Sequence, residues 1–297
     1  MSDDFESPVT FTYLPLKNSS KRLIRLLEIR PGTGDDKIEC ALFDADLDTE
    51  PKYEALSYVW GKGPTMMKIS LKYSSETSEE SKSIDFPVNK NLHDALRALR
   101  KSDVSRTLWN DATCINQNDG EEKDQQIKYM RDIYLFASQV VIWLGPKHDA
   151  QDAIKLCKAL SAEAEKEGKV KDKDPKAAST VGKIFYAAPS GQRVAARDLF
   201  FARPYWSRSW ILQEIMHHGD AQVYIGDLEP IPLEEILGYI SVCYDWFVLV
   251  DSQVTTRQLT QASQEAATKE ERKRLSYDLW FRTASSAEVS HFNFSPS

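Results

Sequence analysis

Glu214 stands four residues after Trp210 in the run from Arg203 to Ile215. Residues four apart share one helical face. A carboxylate held on a helix against an aromatic ring is partly desolvated and well placed to meet a developing cation. The plainer alternative is a glutamate on a solvated face with Trp210 in the core. Pattern alone favours that alternative, because most helical glutamates are surface residues. Asp111 is a second carboxylate, at the carboxyl end of a strand-like run; it could instead cap its loop by bonding nearby amides. Cys114 could be a nucleophile with His93 or His217 as its base. Its setting, Ala112 to Ile115, suits an inert buried thiol better. Asn116 and Gln117 could read a ligand's amide or hydroxyls, and equally could tie down their own loop.

These residues need elements to hold them. Leu108 to Gly145 reads as strand, polar loop, helix, strand. Asp119 is a good helix N-cap and Glu122 stands three residues on, as a capping box requires. Ile127, Met130, Tyr134 and Ala137 recur at helical spacing. Val140 to Leu144 is a continuous apolar run, suited to a strand buried on both faces. A strand, crossover helix and strand imply a parallel βαβ unit. Ligands of open parallel sheets bind beyond the carboxyl ends of the strands, where Thr113 to Asp119 would lie. Earlier, Lys21 to Arg30 and Lys37 to Phe43 flank a turn cluster and predict a hairpin. Tyr53 to Gly61 reads as a buried strand running into the Gly61 to Pro64 turn, whose glycines let a backbone approach a ligand closely. Met67 to Tyr73 and Lys82 to Phe86 are short strands around an exposed, mobile tip at Ser74 to Ser81. Asn89 to Lys101 is an amphipathic helix with a stripe of Leu92, Ala95, Leu96 and Leu99, and His93 at its boundary. Asp152 to Glu167 and Val194 to Phe201 read as helices. Ser207 can cap another that runs to about His217. Ala221 to Ile225 is a strand, and helices follow from Pro232 and from Thr256.

Composition bounds the function. Charged residues at 28% and hydrophobic ones at 41% are those of a globular protein with ample core. A net charge of −7 argues against a nucleic-acid backbone as partner. No apolar run reaches the length of a membrane span. Met1 to Asp4 is acidic and lacks the basic and apolar regions of a signal peptide, so a cytoplasmic location is expected. Cys40, Cys114, Cys157 and Cys243 are widely spaced in apolar segments, as reduced core thiols are. No metal-ligand spacing stands out among the five histidines.

Three blocks carry a resemblance to the fungal heterokaryon-incompatibility (HET) domain. The first is Tyr53 to Gly61, preceded by Phe11 to Leu16 and the Arg22 to Cys40 hairpin. The second is Leu108 to Gly145, with Asp111, Cys114, Ile115, Asn116, Gln117, Met130, Ile133, Tyr134, Ala137 and Trp143. The third is Arg203 to Glu214. Three long blocks in the right order are far more specific than one short motif. Two departures stand out. Asn110 occupies a usually aliphatic place, and the basic-acidic and aliphatic segment common later in the family is missing from Ser276 to Ser297.

The resemblance implies a role in non-self recognition and regulated cell death. It also implies distant kinship to the TIR (Toll/interleukin-1 receptor) domain. By that likeness Ala55 to Tyr58 is the first strand, Asp111 follows the second, Ser138 to Gly145 is the third, and Glu214 is the catalytic glutamate of an NAD-cleaving enzyme. The expected fold is α/β, a mainly parallel sheet flanked by helices, with an N-terminal β-hairpin and a helical C-terminal addition. Residues 1–20 would be a flexible N-terminus, 21–226 the HET domain, 227–275 the helical addition and 276–297 an irregular tail. Glu214 and Asp111 are the expected catalytic pair. Ser57, Tyr58, Trp60, Gly61, Trp109, Cys114, Asn116, Gln117 and Trp210 are expected around the substrate, with a tryptophan ring stacked on a base. NAD would be substrate and not cofactor, and no metal is required. Self-association into a homo-oligomer and contact with signalling proteins are expected. A non-enzymatic signalling module and a Cys114-dependent hydrolase are the alternatives.

Overall fold

The computed structural model describes residues 11–16, 20–61, 65–74, 82–147, 150–166, 187–189, 192, 195–196, 203–208, 214 and 220–236. The expected helices after residue 236, the 276–297 tail and the tip residues 75–81 lie outside these.

Among the described residues nine strands form one sheet: β1 (Leu23–Ile29), β2 (Glu39–Asp46), β3 (Glu54–Ser57), β4 (Met66–Tyr73), β5 (Ile84–Asn89), β6 (Arg106–Trp109), β7 (Gln139–Trp143), β8 (Ala221–Tyr224) and β9 (Ile231–Pro232). Their spatial order is β5-β4-β2-β1-β6-β3-β7-β8-β9. The expectation of a mainly parallel sheet is corrected here. Four pairings are parallel and four antiparallel, so the sheet is mixed. The hairpin of β1 and β2 is the main reason. It is not an appendage: β1 pairs antiparallel with β6, Leu27 opposite Leu108, and so lies inside the sheet. Ile24, Leu26 and Leu27 are buried accordingly. Only β6, β3, β7 and β8 run parallel to their neighbours as a block.

The expected βαβ unit has β6 and β7 parallel, but β3 is seated between them. Two helices connect them, α2 (Asp111–Cys114) and α3 (Gly120–Phe136). They are numbered after α1 (Lys90–Leu99), and α4 (Ala150–Lys166) follows β7. Asn89 caps α1 by accepting from the Leu92 N–H at 2.8 Å. Leu92, Ala95, Leu96 and Leu99 are buried as their spacing predicts, each such leucine contributing roughly 1.5–3 kcal/mol. His93, expected at the boundary, is buried beside them. Asp119 caps α3 through the Glu122 N–H at 3.0 Å. The return half of the capping box is absent: Glu122 turns to Arg25 and to the Asn116 N–H instead. The inner face of α3 is correspondingly rotated. Gln126, Ile133 and Tyr134 are buried and Ile127 is exposed, because Gln126 Nε2 donates to the Leu23 carbonyl at 2.8 Å. The strand expected over Tyr53 to Gly61 pairs only from Glu54 to Ser57. No described helix is long and apolar enough to cross a membrane.

Candidate functional site

Because β3 and β6 are parallel neighbours, their carboxyl ends open on the same edge of the sheet. Ser57 ends β3, and Asn110 and Asp111 follow β6. Asn110 explains its own unusual placement. Its buried side-chain oxygen accepts from the Thr113 N–H and the Thr113 hydroxyl, both at 3.0 Å, and so turns the chain from β6 into α2.

Glu214 is helical and 1% exposed. Its carboxylate is held bidentately by Arg208, at 2.8 Å to Oε1 and 3.0 Å to Oε2. Oε2 also accepts from the Ser57 hydroxyl. Serine has one proton to give, so the Tyr205 hydroxyl, 2.7 Å from Ser57 Oγ, is the donor in that contact. The result is a relay from Tyr205 to Ser57 to Glu214. Burial pushes the Tyr205 phenol up, which keeps it a donor. A short 3-10 helix, Pro204–Ser207, brings Tyr205 and Arg208 to this carboxylate.

Asp111 forms the second half of the site. Trp60 Nε1–H donates to its Oδ2 at 2.8 Å, while Oδ1 is enclosed without a partner. Burial pushes the carboxyl up to about 6, and the negative charge of Glu214 adds to the rise. Trp60 and Arg208 pull the other way. A carboxyl that titrates this close to neutrality is suited to general acid–base work. The Tyr58 hydroxyl faces the same carboxyl, buried and short of hydrogen-bond geometry. Tyr134 closes the floor: its hydroxyl donates to the Leu56 carbonyl at 3.2 Å and its ring meets Trp109 edge-on at 5.6 Å.

The structure thus brings Ser57, Tyr58, Trp60, Asp111 and Glu214 into one electrostatically coupled group. Gly61 follows at the rim with φ +83°. The remaining expected residues sort differently. Trp109 is wholly buried and packs in the core. Cys114 is wholly buried too, and burial pushes its thiol up to about 12, so no thiolate is available at neutral pH. His93 lies on α1, and His217 is outside the described residues. Asn116 Oδ1 accepts from the Asn118 N–H at 3.2 Å, and Gln117 Nε2 donates to the Asp111 carbonyl at 2.7 Å. Both hold their own loop. Trp210 and most of the expected helix around it lie outside the described residues. Among the described residues no group of three or more His, Cys, Asp or Glu could hold a metal ion.

Arg208 and Tyr205 were not singled out from sequence. The available signal was indirect: a glutamate buried in an aromatic block needs a cation, and Arg208 is six residues upstream in that block.

An α/β domain with a buried carboxylate and a second, protonatable one at the carboxyl edge of parallel strands is the class that this geometry defines. A model of the family "Heterokaryon incompatibility protein (HET)" matches residues 53–214, more than half of the chain, and the chain belongs to that family. It is similar to heterokaryon incompatibility protein 6, OR allele, of Neurospora crassa, 39% identical over 137 residues. That match covers 44% of this chain and 20% of the relative, so it spans about a fifth of the relative's length. No solved structure matches the chain.

Proposed function

We propose that this chain is an effector domain of heterokaryon incompatibility and cell death that acts by hydrolysing the nicotinamide–ribose bond of NAD, in the manner of TIR-like enzymes. The family membership and the relative's name support the first part. The observation that carries the second is the pairing of Asp111, pushed up to about 6, with the buried carboxylate of Glu214 beside the exposed indole of Trp60.

The chemistry divides between them. The bond from C1′ of the ribose to the pyridinium nitrogen breaks, and its electron pair leaves on nicotinamide, which departs as a neutral base. The oxocarbenium-like ribose left behind is stabilised by the negative potential of Glu214. Water adds at C1′ and passes its proton to Asp111, giving ADP-ribose. Ser57, fixed by Tyr205, orients Glu214, and Trp60 offers a ring for stacking while its N–H steadies Asp111. Self-association completes the site across protomers in this reading.

One observation favours a second reading. Arg208 neutralises Glu214 with two hydrogen bonds in a nearly closed setting, as a structural ion pair would. In that case the domain is a non-enzymatic module that recruits signalling proteins.

The test is nicotinamide release from NAD by the full chain at high concentration, with Glu214→Gln measured beside it. Release by wild type and a loss of roughly 100-fold or more in the variant is the expected result. Release untouched by the variant moves the centre to Asp111. No release from either leaves the recruiting module as the reading.

A further inference from the structure

Arg203 is a half-buried cation that bonds backbone carbonyls. Among the described residues it has no carboxylate partner. It donates to two backbone carbonyls, Nη1 to Leu144 at 2.5 Å and Nη2 to Pro146 at 3.0 Å. Burial lowers its guanidinium's pKa. Other arginines differ. Arg25, Arg106 and Arg208 each hold a carboxylate, and Arg100 spends itself on four carbonyls of the Thr33 to Lys37 turn. Among the described residues these two bonds use two of the five guanidinium N–H donors of Arg203.

Its surroundings are bare backbone. The two carbonyls flank Gly145, whose φ of +95° turns the chain beyond β7. A Cβ at Gly145 would lie 3.5 Å from Arg203 Nη1 and 3.9 Å from Asn91 Oδ1. A Cβ at Gly61 would lie 3.9 Å from Asn91 Cβ. Asn91 therefore stands between the two glycines. Its amide is used at both ends: Nδ2 donates to the Val59 carbonyl at 2.6 Å, and Oδ1 accepts from Trp143 Nε1–H at 2.9 Å. This fixes the spacing between the segments that leave β3 and β7. Trp60, which holds Asp111, is the neighbour of Gly61. So a partly unsatisfied cation and two glycines without side chains share the sheet edge that carries the carboxylates.

We propose that Arg203, over the backbone at Gly145 and Gly61, is the phosphate-recognising group of this edge and takes the diphosphate of a nucleotide substrate. A guanidinium meets phosphate oxygens with two parallel N–H bonds, and glycines allow the close approach. The inference rests on the NAD reading for its substrate class, and its anion contact is measured separately.

The experiment is calorimetric titration of the full chain with ADP and with adenosine, in wild type, Arg203→Gln and Arg203→Lys. Wild type is expected to prefer ADP. Arg203→Gln should cut ADP affinity about 10- to 100-fold and leave adenosine unchanged. Arg203→Lys keeps the charge without the fork and should lose an intermediate amount; it serves as the test if the glutamine variant does not fold. A merely structural Arg203 would lower thermal stability while the ADP-to-adenosine ratio stayed constant, and that result overturns the proposal. So does a wild type that binds ADP no tighter than adenosine. Nicotinamide release with unchanged kcat/KM in Arg203→Lys removes the phosphate role and leaves the hydrolase. An Arg203-dependent preference for ADP without any nicotinamide release removes the hydrolase and leaves the phosphate role.

Discussion

Among the described residues, the pairs Arg25–Glu122 and Arg208–Glu214 each have one member almost wholly enclosed, and they are built in opposite senses. In the first, Arg25 is 0% exposed and grips Glu122 at 2.5 and 2.8 Å. Arg25 also donates to the carbonyls of Leu14 and Cys114 and lies 4.9 Å from the centre of the Tyr13 ring. Glu122 in turn holds the Asn116 N–H at 2.7 Å. Strand β1, the N-terminal segment, α2 and α3 all meet on this one cation. In the second pair the carboxylate is the enclosed member. Glu214 is 1% exposed, Arg208 is 20% exposed, and the other polar contact of Glu214 is the hydroxyl relay. One pair gathers the backbone around a charge, whose Nη1 and Nη2 donate to carbonyls and to Glu122. The other encloses a carboxylate at the end of the sheet and holds it with Arg208 and the Tyr205–Ser57 hydroxyl relay. The same bond type is a fastener in one place and a means of setting local potential in the other.

Breaking the fastener should have the larger effect on stability. Arg25→Met leaves Glu122 and two carbonyls unmatched in the interior, and should cost about 3–5 kcal/mol in urea unfolding. Nicotinamide release per folded molecule should be unchanged by it. An equal loss of activity in the folded fraction would erase the distinction between the pairs.

The next effect is smaller and depends on pH. Folding raises the Asp111 carboxyl from its ordinary range to about 6, chiefly by burial. The native chain therefore holds more protons than the unfolded one between about pH 4 and 6. Stability from this group is fully present below the unfolded pKa and is lost as pH rises through about 6, by at most about 3 kcal/mol. Urea unfolding from pH 4 to 8 should show this decline in wild type and a flatter line in Asp111→Asn. Equal slopes would mean that folding does not raise the Asp111 carboxyl.

The smallest effects belong to the relay. Ser57→Ala should cost about 1–2 kcal/mol, since it removes a donor from a buried carboxylate. Tyr205→Phe, one step further out, should cost about 1 kcal/mol. Chemical denaturation of both, and of the double variant, would show whether the two hydroxyls act as one unit.

What could be read from the chain was whatever local spacing determines. The run Val140 to Leu144, the cap Asp119, and the leucine stripe of α1 all declared themselves, because a strand's burial and a helix's face follow from residues within one or two turns. The failures share one cause. β1 sits in the middle of the sheet because Leu27 finds Leu108, and no local period encodes that partner. Gln126 points inward and Ile127 outward because the Leu23 carbonyl needs a donor. Glu122 advertises a capping box, yet its carboxylate serves an arginine on another strand. At the site, Glu214 and Asp111 stood out by residue type and motif. Arg208, Tyr205 and Arg203 did not, since their roles exist only once distant strands have placed a carboxylate or a bare glycine beside them.

The order of these parts along the chain has a consequence for synthesis. Both members of the fastening pair, and the first seven strands, leave the ribosome before Arg203 does. Arg208, Tyr205 and Glu214 arrive only afterwards, between Arg203 and Glu214 in the sequence. Most of the sheet can collapse around Arg25 while the nascent polypeptide still lacks every ligand of the carboxylate centre except Ser57. A translation product halted before that stretch carries most of the sheet without the Glu214 carboxylate.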